Sequence, residues 1–186
     1  TLTLTHQNGG NLYTWLPSSS NNVRVTMAAE FSTNDFNARI IARWPASNPV
    51  TKGEILASHG AAKSIELYIN TDGTLVFDVN DATTSFAATI PASPGMDQLH
   101  GELIEIFASY SNLLSQSHIW VCHKGRIVWH VIGSTATAIM GDFNTGGLIY
   151  VGYTPAAGAA FTGEIGQFAI ARGTTARYIW SDADVA

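Results

Sequence analysis

Short alternating stretches of hydrophobic and polar residues, punctuated by Gly, Pro, Asn or Asp, run along most of the chain. In VRVTMAAEF, Val23, Val25, Met27, Ala29 and Phe31 share one face of a strand, and Arg24, Thr26, Ala28 and Glu30 share the other. Successive side chains of a strand point to opposite sides, so this is the pattern of a half-buried strand. ARIIARW follows the turn-like STNDFN, and GEILASHG follows the loop PASNPVTKG. GELIEIFASYS and GGLIYVGY read as further strands, while ATIPASPGMDQLH and STATAIMGDFNTGG are the longest weakly patterned connections. Only the tail TTARYIWSDA suggests helix, with Thr174 or Thr175 placed to cap it. Ten or more short strands, without heptads, repeats or a linker, predict a single all-β domain over residues 1–186. Two stacked antiparallel sheets are expected, since one flat sheet of that size leaves a face unburied.

Three segments carry finer information. In SIELYINTDGTLVFDV, a three-residue loop Thr71-Asp72-Gly73 pairs Ile69 with Leu75, Leu67 with Phe77 and Ile65 with Val79. A two-residue loop sets Leu75 against Asn70, so the pattern selects the longer loop, with Gly73 in the left-handed conformation of a bulge. In SHIWVCHKGRIVWHVIG, a tight Lys124-Gly125 loop sets Trp120 opposite Trp129, Cys122 opposite Ile127 and Val121 opposite Val128. Both faces are then apolar, which predicts a hairpin well inside its sheet. FTGEIGQFAIARG alternates in two phases: Phe161, Gly163 and Ile165 occupy one set of positions, and Phe168 and Ile170 the other. One extra residue reconciles them, which predicts a β-bulge at Gly166.

Composition narrows the partners. The 186 residues are 46% hydrophobic, enough for a full core, but only 12% are charged, about half the usual share for a globular domain. Outer strand faces rich in Thr and Ser, or a surface covered by a partner, both follow from that deficit. A net charge of −5 without any basic run argues against nucleic acid, which needs clustered Lys and Arg. One cysteine, Cys122, rules out an intrachain disulfide. TLTLTHQNGG lacks the basic start and apolar run of a signal peptide, and no segment has the ~20 apolar residues needed to span a bilayer. A soluble chain that does not insert in a membrane is expected.

The order of pieces resembles the laminin G-like branch of the concanavalin A-like lectin and glucanase superfamily. EILASHG precedes LYINTDGTLVFDV, then come GELIEIFASYS, IWVCHKGRIV and LIYVGYTPAAGAAFTGEIGQFAIARGTTARYI. Gly152, Phe161, Gly163, Ile165, Phe168 and Ile170 match the last block of that pattern, and the likeness covers residues from about 23 to 180. Leu99-His100 replaces the usual Trp-His pair, and Lys124 stands where the family often has Asp; both positions are structural in the pattern. The resemblance implies a jelly-roll-like antiparallel β-sandwich whose last strand returns beside the first.

Candidate chemistry is sparse. Glucanases of the superfamily carry E-x-D-x-E on one strand, because residues two apart share a face and retaining hydrolysis needs carboxyl groups about 5 Å apart. In GELIEIF, Glu102 and Glu105 are three apart and face opposite sides, and Glu164 has no acidic neighbour in sequence. His118, His123 and His130 cluster in sequence, but the expected register turns His118 away from the other two and leaves His123 and His130 ~13 Å apart. Metal ligation by that trio, or any other metal centre, is therefore not expected. Cys122 reads as a buried, inert thiol. Related lectin-like domains hold calcium at one rim, and Asp78, Asn80 and Asp81, or Asp142 and Asn144, supply the hard oxygens it prefers. Asx-rich turns account for the same residues, so no cofactor is required. Trp44, Tyr110 and Tyr153 are the loop aromatics placed to stack on a sugar or anchor a partner.

These readings point to a binding or assembly module rather than an enzyme. A structural surface component of a larger particle or homo-oligomer, such as a phage capsid decoration or tail protein, fits the weakly charged surface, and with it a virion or extracellular location. A glycan-binding, lectin-like module is the alternative that the resemblance implies.

Overall fold

The computed structural model describes residues 2–7, 10–26, 35–59, 64–80, 84–111, 114–134, 148–155 and 159–172. The strands are β1 (Leu2–Gln7), β2 (Gly10–Trp15), β3 (Val23–Thr26), β4 (Asp35–Arg43), β5 (Gly53–His59), β6 (Ser64–Ile69), β7 (Leu75–Asn80) and β8 (Ser85–Ile90). They continue with β9 (Leu103–Ser111), β10 (Gln116–His123), β11 (Arg126–Ser134), β12 (Leu148–Val151), β13 (Tyr153–Thr154), β14 (Ala159–Ala160) and β15 (Glu164–Arg172). One sheet has the order β1-β2-β15-β4-β9-β10-β11; the second runs β13-β14-β5-β6-β7-β8, with β12 joining β5 to β3. Among the described residues, pairing is antiparallel apart from a single parallel bridge between Ala160 and Glu54. The predicted tail helix lies outside the described residues.

Alternation builds the core as expected. Phe36, Ala38, Ile40 and Ala42 of β4 face Ile104, Ile106, Ala108 and Tyr110 of β9 across one inner surface. Leu67, Phe77, Val79, Phe86 and Ile90 line the facing surface of the second sheet. Rings lock the layers together: Phe36 stacks on Phe77 with centroids 6.2 Å apart, and Phe86 meets Tyr110 edge-on at 5.6 Å.

The first hairpin has the predicted register, pairing Ile69 with Leu75, Leu67 with Phe77 and Ile65 with Val79. Gly73 adopts φ +88°, which only a residue without Cβ holds at little cost, and Asn48 packs where a Cβ would sit. The predicted bulge is also present. The β15–β4 register shifts between Ile165 and Gln167, leaving Gly166 as the extra residue, and β15 returns to pair with both β2 and β4.

The second hairpin departs from expectation in two ways. Cys122 pairs with Ile127, but the register then shifts: Val128 is the extra residue, Val121 pairs with Trp129, and Trp120 pairs with His130. Trp129 therefore packs inward against the core, while Trp120 points to the opposite face. Alternation alone does not reveal this bulge, because both faces of β11 carry large apolar residues. For the same reason the expectation of an interior hairpin fails: β11 is the terminal strand of its sheet among the described residues.

Candidate functional site

The register sets three rows of side chains across the outer face of the first sheet. The central row is Arg39, Phe107, Trp120 and His130, direct cross-strand partners on β4, β9, β10 and β11. To one side run Asn37, Ser109, His118 and Ile132, and to the other Ile41, Glu105, Cys122 and Ile127. An outer sheet face in water ordinarily carries polar residues. Here Phe107, Trp120 and Cys122 form a second apolar cluster, apart from the main core, with Ile127 against it.

Polar groups frame that cluster. Arg39 pairs with Glu105, and its guanidinium lies 5.8 Å from the centre of the Phe107 ring. Ser109 donates to Asn37 Oδ1. Trp120 is only 1% exposed and is stacked against two imidazoles that also touch each other: His130 lies 4.5 Å from it at 16°, and His118 5.2 Å from it at 20°. The two histidines meet directly, His118 Nδ1 lying 3.1 Å from His130 Nε2, while His118 Nε2 lies 3.2 Å from Gln116 Oε1. An amide oxygen only accepts, so His118 donates from Nε2 and its Nδ1 lone pair accepts the Nε2–H of His130.

This contact corrects the expectation that His118 and His130 face apart. The Val128 bulge turns His130 to the outer face, diagonal to His118. His123 does stand apart from them: its Nε2 is 3.0 Å from Glu102 Oε2. That bond, with Lys124 nearby, holds the Glu102 carboxyl below its ordinary range.

Beyond β11's end of the face, Val128 and Ile132 are 41% and 51% exposed. Two shallow depressions, of about 50 and 70 Å³, flank the rows; Ile41 lines both, with Gln167 and Phe168 in one and Glu105 and Cys122 in the other. Neither approaches the several hundred Å³ of a pocket that encloses a small molecule. The Cys122 thiol is pushed up to about 11 by burial, with the Glu105 charge adding to it.

The outer face of the second sheet carries a different cluster. Lys52 lies between two carboxylates, 2.8 Å from Glu54 and also paired with Glu66, with its ammonium 3.9 Å from the centre of the Tyr68 ring. Burial works against the Lys52 charge, but the two carboxylates outweigh it and hold its pKa above the ordinary value. Glu54 is 1% exposed, and loss of water raises its carboxyl to about 7 despite Lys52. Sequence reasoning did not assemble this group, although the correctly read hairpin already set Glu66 opposite Asp78. Lys52 and Glu54 come from β5 and the residue before it, and no spacing rule connects them to β6.

The remaining sequence-predicted residues scatter. Trp44 and Tyr110 are core residues, Trp44 against Phe161 at 6.0 Å and Tyr110 against Phe86, so neither presents a ring to a ligand. Tyr110 lies within β9 and Trp44 directly after β4, not on loops that reach solvent. Tyr153 is half-buried on β13. Asp78 accepts from Ser85 Oγ at 2.6 Å, and Asn80 shares its face two residues on; Asp81, Asp142 and Asn144 lie outside the described residues. Among the described residues no three His, Cys, Asp or Glu side chains converge, and no helix is long and apolar enough to cross a membrane.

The sequence matches no family model, and none of the curated proteins is similar to it. Solved structures are similar in shape. Domains LG4-5 of the mouse laminin α1 chain superpose with a TM-score of 0.62 at 19% identity, over 84% of this chain and 40% of that one. The chain thus spans less than half of that laminin fragment. The Ruminococcus gnavus IT-sialidase CBM40, bound to α2,3 sialyllactose, gives 0.56 at 13% identity, over 84% and 83% of the two chains. The binding domain of botulinum neurotoxin DC, in complex with rat synaptotagmin II, gives 0.64 at 12% identity, over 100% and 43%. At these identities the likeness is one of shape. Together with the sheet order, the returning β15 and the two facing layers, it makes the fold of this chain a concanavalin A-like, laminin G-like jelly roll.

Proposed function

We propose that this chain is a non-catalytic binding module that meets a protein partner through the outer face of the first sheet, as part of a homo-oligomer or a larger particle such as a virion surface. The observation that carries this reading is the pair of exposed apolar residues Ile132 and Val128 at the β11 end of a face whose own apolar cluster, Phe107, Trp120 and Cys122, is buried beneath its polar neighbours. Exposed apolar surface such as that of Ile132 and Val128 gains about 25 cal/mol for each Å² that a partner covers. Catalysis finds little support, since Glu54 is too buried to reach a substrate oxygen and is paired with Lys52.

The test is the size of the full chain in solution and its retention on a particle. Ile132→Asp and Val128→Asp are expected to abolish association while leaving the melting temperature within a few degrees. A chain that is monomeric at high concentration, and binds nothing through this face, overturns the reading.

A second reading is favoured by the whole-domain likeness to the sialyllactose-bound CBM40. In it the chain binds a glycan, with half-buried Tyr153 as the stacking ring. Saturable binding on a glycan array, lost in Tyr153→Ala, supports it; an empty array removes it.

A further inference from the structure

We propose that His118 and His130 form a binding site for a divalent transition-metal ion of the imidazole-preferring kind, copper(II) above nickel and zinc. Two nitrogens that bind one metal at about 2.0–2.1 Å stand about 2.9 Å apart at a right angle and about 3.3 Å apart at the tetrahedral angle. His118 Nδ1 and His130 Nε2 are 3.1 Å apart. The rings meet nearly edge to edge, with centroids 5.4 Å apart. For a metal to take the place of the proton between them, His130 changes tautomer, releasing its Nε2 proton to water and taking one up at Nδ1, and the exposed His130 ring turns aside so that its Nε2 lone pair meets the metal in front of His118 Nδ1.

The surroundings already have the form that ligation requires. Ligating histidines usually donate their other ring N–H to an oxygen, which fixes the tautomer. Gln116 Oε1 takes the Nε2–H of His118 and leaves Nδ1 as the ligating atom. Trp120 holds both rings by stacking, 5.2 Å from His118 and 4.5 Å from His130. The Val128 bulge supplies the second ligand by turning His130 outward, and the site opens to solvent at the terminal strand, so water completes the coordination. With two nitrogen ligands and no enforced geometry, affinity follows the general order in which copper exceeds nickel and zinc.

The site carries its own reporter, because the Trp120 indole touches both ligands. Copper(II) titrated into the full chain is expected to quench part of the tryptophan emission, saturating at one equivalent and reversing on chelation. Zinc is expected to compete with copper without quenching. His130→Gln and His118→Gln should each remove that saturable phase, Gln116→Ala should weaken it about tenfold or more, and His123→Gln should leave it intact. His130 is exposed, so His130→Gln tests ligation without disturbing the fold; melting temperatures check the more buried His118 variant. Unchanged stoichiometry and quenching in His130→Gln, or loss of the phase in His123→Gln, overturns the proposal.

Discussion

Ile165 and Phe168 are three residues apart on β15, yet both point into the same core, Ile165 fully buried and Phe168 edge-on to Trp15 at 6.4 Å. Residues three apart on a regular strand face opposite sides, so the shared direction exists only because Gly166 is absorbed as an extra residue. Deleting Gly166 forces a choice between the two anchors and should destabilise the domain by several kcal/mol. Gly166→Val, which adds a branched side chain at the extra residue, is the milder change and should lower stability less than the deletion. Urea denaturation measures both; a deletion variant as stable as the parent refutes the role given to the bulge.

Gly133 closes one side of the sandwich. A Cβ there would lie 2.2 Å from the carbonyl oxygen of Ala87 and 2.7 Å from the nitrogen of Ala88, so β11 runs directly against the backbone of β8. Its cross-strand partner Ser117 donates to the Phe86 carbonyl at 2.7 Å, joining the two sheets at the same point. Gly133→Ala should push the layers apart at a cost of about 1–3 kcal/mol, the usual range for overpacking, and should lower the melting temperature. Retained stability shows that the seam can open without penalty.

Glu54 makes stability depend on pH. Its carboxyl is raised to about 7 in the fold, against an ordinary 4.5, so the folded chain holds a proton that the unfolded chain has released between those values. Stability from this group therefore falls as pH rises from about 4.5 to about 7, by at most roughly 3 kcal/mol, and the full penalty stands above 7. Lys52 acts in a separate window: its raised pKa adds stability that persists through neutral pH and is lost only as pH climbs through its folded value, above 10.5. Glu54→Gln should flatten the profile between pH 4.5 and 7. An unaltered slope in that variant assigns the dependence to other groups.

Cys122 should resist thiol reagents in the folded protein. With the thiol near 11, thiolate at neutral pH is scarcer than in an unfolded chain by roughly two to three orders of magnitude. Labelling is expected to be slow until denaturant is added and then to reach one equivalent. Prompt stoichiometric labelling of the native chain contradicts the burial of Cys122.

The fold was legible where pattern and geometry coincide. The register of the first hairpin follows from matching Ile65, Leu67 and Ile69 to Val79, Phe77 and Leu75, and the Gly166 bulge from a change of phase. The second hairpin was misread because Trp120, Val121, Val128 and Trp129 are all apolar, so a shift of one residue leaves the pattern unchanged. That shift decides whether His130 meets His118, and so the candidate metal site lay beyond the reach of sequence. The aromatics were misjudged for a related reason: Trp44 adjoins a Pro-containing loop, but its ring turns inward onto Phe161. The Lys52 cluster is assembled from β5 and β6, and only tertiary pairing brings those charges together.

The extra residue at Val128 has a further effect on how copies of this chain can meet. A terminal strand normally offers a straight ladder on which a neighbour's strand can grow. Here the ladder is interrupted near the turn, and at its other end Gly133 is pressed against β8. Contact at this margin is steered toward side chains on the flat of the sheet and away from edge-to-edge polymerisation.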